Sequence, residues 1–269
     1  MKPLVSAVAV LAALAATGCA PQESVSESVA DDTSMTLYQA IQDGAVSATF
    51  SGNGASSGDA VTLRIQKTAS APSGSLRLSV PPGSLLRSQD PSMQDMVVGA
   101  VRGRDQGDST FIEEPEIVLS DSTPVTYILS AYCANFEKDN PSAENGFILV
   151  DAPDPVLACI VGEDAELSIN AIQAAVWIQT DTTSFSQMSE RFAVSDSEWT
   201  SANKVIERCY EALATRFLET ARALRGDAEA QHILGVRYAT GAGVPQDYVQ
   251  AHMWVNLAAS RMASGVPAG

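Results

Sequence analysis

Histidine is almost missing from this chain: His232 and His252 are the only two among 269 residues, and both lie near the C-terminal end. The rest of the chain therefore offers no histidine-based triad and no histidine-containing zinc set. Serines are plentiful, yet no Gly-x-Ser-x-Gly elbow, phosphate-cradling glycine loop or HExxH motif is expected to accompany them. No catalytic residue, metal or cofactor is expected, and an enzyme is the weakest functional class. Positive charge is also scarce, with 16 Lys and Arg against 32 Asp and Glu, a net charge of −16. That balance argues against nucleic acid and against an anionic membrane surface as partners, and suits a soluble, solvated face. Long hydrophobic runs are lacking too. The apolar stretch near the start holds about a dozen residues, too few to span a bilayer.

What that first stretch does hold is a lysine, an apolar core and small residues, "MKPLVSAVAVLAALAATGC", the layout of a secretory signal. Ala16-Thr17-Gly18-Cys19 resembles a bacterial lipobox. The resemblance implies cleavage after residue 18, acylation of Cys19, and anchoring in the cell envelope through lipid alone. Ala20 after the cysteine resembles the outer-membrane sorting pattern of cells with two membranes. The mature chain then occupies an oxidising space in which disulfides persist.

Residues 19–34 are small, polar and acidic, the composition of a disordered tether. A domain over 35–185 follows. It opens with "MTLYQAIQDG", read as a short helix ended by Gly44, and continues with strand-like runs "VSATF", "VTLRIQ", "SLRLSV", "DMVVGAV", "EIVLS", "VTYILSAY" and "GFILV". Turn clusters at regular spacing between them point to a sandwich or barrel. The chain then becomes helical. Ser195 and Glu198 form a capping-box pattern ahead of one apolar stripe, Ile206, Cys209 or Tyr210, Leu213, Phe217, Ala221 and Leu224, over a connector at 195–225. The expected class is α+β, with a β-rich sandwich or barrel followed by a helical hairpin.

That hairpin, residues 226–265, closely resembles one Sel-like repeat, a relative of the tetratricopeptide repeat. The matching positions include Gly226, Leu234, Gly235, Tyr238, Gly241, Gly243, Trp254, Leu257 and Ala258. The resemblance implies two antiparallel helices with a core of Leu234, Tyr238, Trp254 and Leu257, small residues at the close approach, and Gly241 and Gly243 at the turn. It also implies a protein-binding scaffold. One repeat cannot bury its own apolar face, so the 196–224 helix, or further repeats, must pack against it. The two histidines fall within this pair, as structural or surface residues.

With Cys19 acylated, Cys133, Cys159 and Cys209 remain, an odd number. One reading pairs Cys133 with Cys159 and buries Cys209 on its helix. Forty residues after Cys133 lies "INAIQAAVWIQTD", which has the spacing of an amphipathic helix with Ile172, Val176 and Trp177 in the core. Tyr132-Cys133 together with Ile172-Gln173-Ala174-Ala175-Val176-Trp177 and Thr180-Asp181 also resembles the thioester domain of bacterial surface adhesins. Ile172 stands where that family usually has threonine, and Asn135 where an acidic residue often lies. The resemblance implies a thioester between Cys133 and Gln173, shielded by Tyr132 and Trp177 with Asp181 nearby, leaving Cys159 to pair with Cys209. Two functions follow: capture of an amine-bearing partner through 35–185, or non-covalent scaffolding through the repeat with the β-domain as spacer.

Overall fold

The computed structural model describes residues 32–107, 110–150, 153–162, 166–244 and 246–264. The expected signal peptide, Cys19 and most of the tether lie outside the described residues. Regular structure begins earlier than expected. Thr33 and Ser34 already belong to strand β1 (Thr33–Thr36), which pairs in parallel with β4 (Leu76–Ser79), itself antiparallel to β8 (Ile117–Leu119). Thr36 then caps the short helix α1 (Leu37–Gln42), its Oγ1 accepting from the backbone N–H of Gln39.

The main sheet is a closed, all-antiparallel barrel of six strands in the order β5 (Leu85–Ser88), β10 (Gly146–Val150), β2 (Val46–Gly52), β3 (Ser57–Lys67), β9 (Val125–Cys133) and β6 (Met96–Gly107), sealed by pairing of β6 with β5. Strand β7 (Thr110–Glu113) extends β6 beyond the barrel. Alternation explains the interior: Val61, Leu63 and Ile65 of β3 are at most 1% exposed, while Arg64 between them faces solvent. Closure removes the free edges that an open sheet of this length would present.

The end of β9 breaks the alternation, with Leu129 through Cys133 all buried. Helices lie on the outside of the barrel there. The change to helix comes at 155 rather than after 180: α2 (Pro155–Val161), α3 (Ile169–Asp181) and α4 (Phe185–Arg191) precede α5 (Asp196–Leu224). Each start is built by a cap. Asp154 accepts from Val156 and Leu157 with Pro155 in the first turn, Ser168 accepts from Ala171, and Ser184 and Ser195 form capping boxes with Gln187 and Glu198. Glu198 also accepts from Ser168 Oγ at 2.9 Å, tying the starts of α3 and α5 together.

Helix α3 packs against β3 and β9, and every residue from Ala171 to Trp177 is buried. A disulfide joins Cys159 of α2 to Cys209 of α5, closing 50 residues of chain, so the expected alternative of a Cys133–Cys159 bridge is not formed. In α5 the stripe is narrower than expected. Ala202, Val205 and Cys209 are buried, but Tyr210, Phe217 and Leu224 are exposed, because α2 and α3 support only the first half of a 29-residue helix.

Helices α6 (Ala228–Thr240) and α7 (Tyr248–Ser264) form an antiparallel hairpin against the end of α5. Its core is small: Ala223, Ala230 and Leu234 are buried, with Tyr238 and Trp254 packed on them. At Gly235 a Cβ would come within 2.6 Å of Val255 Cγ2 and 3.1 Å of the Ala251 carbonyl, so the helices touch where a side chain is absent. Leu257, expected in this core, is 38% exposed. Ala251 and Ala258 are buried on α7 with Trp254 half-buried beside them, and Leu257 lies at the margin of that face.

Candidate functional site: a cysteine and glutamine clamp

Cys133 ends β9, and Gln173 sits on the barrel-facing side of α3. The two meet through four backbone and side-chain atoms. Gln173 Nε2 donates to the Cys133 carbonyl at 2.8 Å, and Gln173 Oε1 accepts from the Cys133 N–H at 3.0 Å. That N–H is shared with the Ser56 carbonyl at 2.9 Å. Both side chains are wholly buried, at 0% exposure. A glutamine at such a position is costly to bury unless its amide is satisfied, and here both ends of the amide are used.

The thiol is free. Its Sγ lies 3.4 Å from Met96 Sδ, in the residue directly across the β9–β6 ladder, and 3.9 Å from Asn140 Oδ1. Burial pushes the thiol up to about 12, so it stays protonated at neutral pH.

The loop leaving Cys133 is held on every side. Asp181 Oδ2 accepts from the Phe136 N–H at 3.1 Å, and Asn135 Oδ1 accepts from the Asp95 N–H at 2.7 Å. Arg191 reaches across from α4, donating to the Phe136 carbonyl at 3.2 Å and to Glu137 at 3.0 Å while lying over the Phe136 ring. Trp177 is clasped edge-on by Phe136 and Phe192, with centroids 5.2 and 5.1 Å away. Its Nε1 donates to Gln94 Oε1 at 3.2 Å. A cleft of about 190 Å³ opens beside this cluster, lined by Gln94, Phe136, Lys138, Asn140, Trp177 and Phe192 among others.

Of the residues singled out from the sequence, Cys133, Gln173, Trp177 and Asp181 come together. Tyr132 does not line the cleft. It is buried in β9 with its ring against Gly99 of β6, where a Cβ would stand 3.2 Å from it. Cys159 and Cys209 are joined elsewhere, on α2 and α5. His232 and His252 are exposed, and the His252 ring lies beside Asn256, with Nδ1 3.1 Å from the Asn256 amide nitrogen. Among the described residues no group of three or more His, Cys, Asp or Glu is placed to hold a metal ion, and no helix is long and apolar enough to cross a membrane.

Gln94 and Asn140 were not legible as site residues. They sit in two loops brought together by the pairing of Met93 with Asp139, and no periodicity marks either one. Contrary to expectation, one Gly-x-Ser-x-Gly pattern does occur, Gly54-Ala55-Ser56-Ser57-Gly58. It lies in the β2–β3 turn and leads into a strand, without the helix or base of a nucleophile elbow. Compared with known proteins, the chain matches no family model, no curated protein and no solved structure.

Proposed function

We propose that the chain is a membrane-anchored lipoprotein of the bacterial envelope whose domain at 35–185 captures an amine-bearing partner through a thioester between Cys133 and Gln173. The helix pair at 226–265 acts in this reading as a Sel-like protein-interaction repeat. The observation that carries the proposal is the clamp of the Gln173 amide onto the backbone of Cys133, beside a free and buried thiol.

The chemistry of this reading is a transfer of the Gln173 acyl group from nitrogen to sulfur. The Cys133 sulfur adds to Gln173 Cδ, the carbon–nitrogen bond to Nε2 breaks, and the thiol proton leaves with that nitrogen as ammonia. Negative charge grows on Oε1 as the sulfur adds, and the Cys133 N–H already points at Oε1 from 3.0 Å, in the manner of an oxyanion donor. An arriving amine then attacks Cδ, forms a permanent amide and returns the thiol to Cys133. Burial of both residues excludes the water that would otherwise hydrolyse the bond.

Methylamine is the direct probe. Treatment of the mature protein should release one titratable thiol and leave an N-methylamide at Gln173 in the peptide map. An unmodified Gln173 with no thiol released would end the proposal.

A second reading is favoured by a different observation. Phe217, Leu218, Leu224, Tyr248 and Val249 are between 62% and 78% exposed on α5 and α7, an apolar cost that a monomer rarely carries without use. Here the helix pair docks an envelope protein and the barrel is a spacer. Replacing Phe217 and Leu218 by serine should then abolish partner capture in a pull-down, whereas Gln173→Ala should leave it intact.

A further inference from the structure

Two amide side chains stand between the Cys133 sulfur and the open cleft. Asn140 Oδ1 lies 3.9 Å from Sγ and accepts from Gln94 Nε2 at 3.1 Å. Gln94 Oε1 accepts in turn from Trp177 Nε1 at 3.2 Å and from the Asn135 N–H at 3.3 Å. Both residues line the cleft. They differ in freedom. Gln94 is 3% exposed and held by partners at both ends of its amide, whereas Asn140 is exposed. Turning the Asn140 side chain outward breaks its bond to Gln94 and its contact with Sγ, and uncovers the sulfur from the cleft side.

We infer that Gln94 and Asn140 form a shutter over the Cys133–Gln173 bond, with Gln94 as the fixed post and Asn140 as the leaf, and that an unbranched primary amine passing this leaf is the acceptor class. The inference rests on the thioester reading. Closed, the leaf keeps water from the acyl carbon. Open, it joins Cys133 to a cleft whose inner wall is aromatic, Phe136, Trp177 and Phe192. A bulky amine needs the leaf turned further aside than a slim one does, so the shutter itself favours an unbranched amine. Lys138, Asp139 and Arg191 also line the cleft, and Arg191 is paired with Glu137 at 3.0 Å.

The test uses the mature full chain, wild type and Asn140→Ala, with Asn140→Asp as the variant that keeps an acceptor for Gln94 Nε2. Intact mass at the start reports the thioester as a deficit of one ammonia. The rate at which that deficit disappears is then followed in buffer, in methylamine and in tert-butylamine. Asn140→Ala should begin with the deficit and lose it to water about tenfold faster, the effect of one hydrogen bond. Its preference for methylamine over tert-butylamine should shrink, and Asn140→Asp should restore slow hydrolysis.

The deficit present in both proteins with unchanged rates and unchanged amine preference would overturn the shutter while leaving the thioester standing. A deficit in the wild type and none in Asn140→Ala would overturn it as well, since Asn140 would then act in bond formation rather than access. No deficit in the wild type refutes the thioester reading, and the shutter with it.

Discussion

Replacing Gln173 by glutamate changes one atom group and asks whether the clamp on Cys133 is what the geometry says it is. Gln173→Glu is also the product that hydrolysis of the thioester would leave. In the clamp, Nε2 donates to the Cys133 carbonyl at 2.8 Å, and a carboxylate oxygen at the same place would set two lone pairs against each other. The site is wholly buried, so the glutamate must take up a proton to stay. Its folded-state pKa is therefore raised above the ordinary value of about 4.3. A raised pKa gives stability that is fully present below the unfolded value and is lost as pH climbs towards the folded one. Each unit costs about 1.4 kcal/mol, so a carboxyl still protonated at neutral pH forfeits about 3 to 4 kcal/mol by pH 7. The experiment belongs in a Cys133→Ser background, which keeps the backbone partners and removes the thiol. Urea unfolding followed by tryptophan fluorescence at pH 4 and pH 7 should show a near-native midpoint for the glutamate variant at pH 4 and a large loss at pH 7. Equal losses at both values would refute the reasoning, because the cost would then be one of shape.

Three further predictions concern the parts around the clamp. Cys209→Ala should cost about 4 kcal/mol of stability by chain-entropy reasoning for the 50-residue loop it opens, read as a lower denaturant midpoint. In Gln173→Ala the thiol of Cys133 is free, and burial raises it from 9.0 to about 12. The folded state there resists losing the proton, so between those values stability should fall by roughly 1.4 kcal/mol per pH unit more than it does in Gln173→Ala with Cys133→Ala, in which lysines and tyrosines still titrate. Gly235→Leu places a side chain where Val255 Cγ2 stands 2.6 Å from the Cβ position and should cost about 1 to 3 kcal/mol, with loss of helical ellipticity confined to the hairpin.

Strands with clean alternation, such as "VTLRIQ" in β3 and "VTYILSAY" in β9, are legible because one face of each meets the barrel interior and the other does not. Strands β1, β5 and β7 are short and carry no such contrast, with "TSMT", "LLRS" and "TFIE" held by their neighbours rather than by their own pattern. Helix α2 hides for a related reason, whereas the spacing in "INAIQAAVWIQTD" already marks α3 as a helix. "PVLACIV" is a short apolar run that fits a buried strand as well as a helix, and only Asp154 and Pro155 at its start decide. In α5 the period is real, yet periodicity cannot say how far the supporting surface extends, so Phe217 and Leu224 read as core and are exposed. The same holds for Leu257 in α7. Within the site, Cys133 and Gln173 stand in motifs of fixed spacing and can be found from them. Gln94 and Asn140 cannot, because their meeting depends on two loops pairing at Met93 and Asp139 across 46 residues of sequence.

The central claim is a covalent bond between Cys133 and Gln173, and intact mass of the mature, non-reduced chain tests it most directly. With Cys159 and Cys209 joined, the account predicts a mass one ammonia below that of the otherwise unmodified chain, and no such deficit in Gln173→Ala. A wild-type chain at full mass, with Cys133 recovered as a free thiol after unfolding, would contradict it.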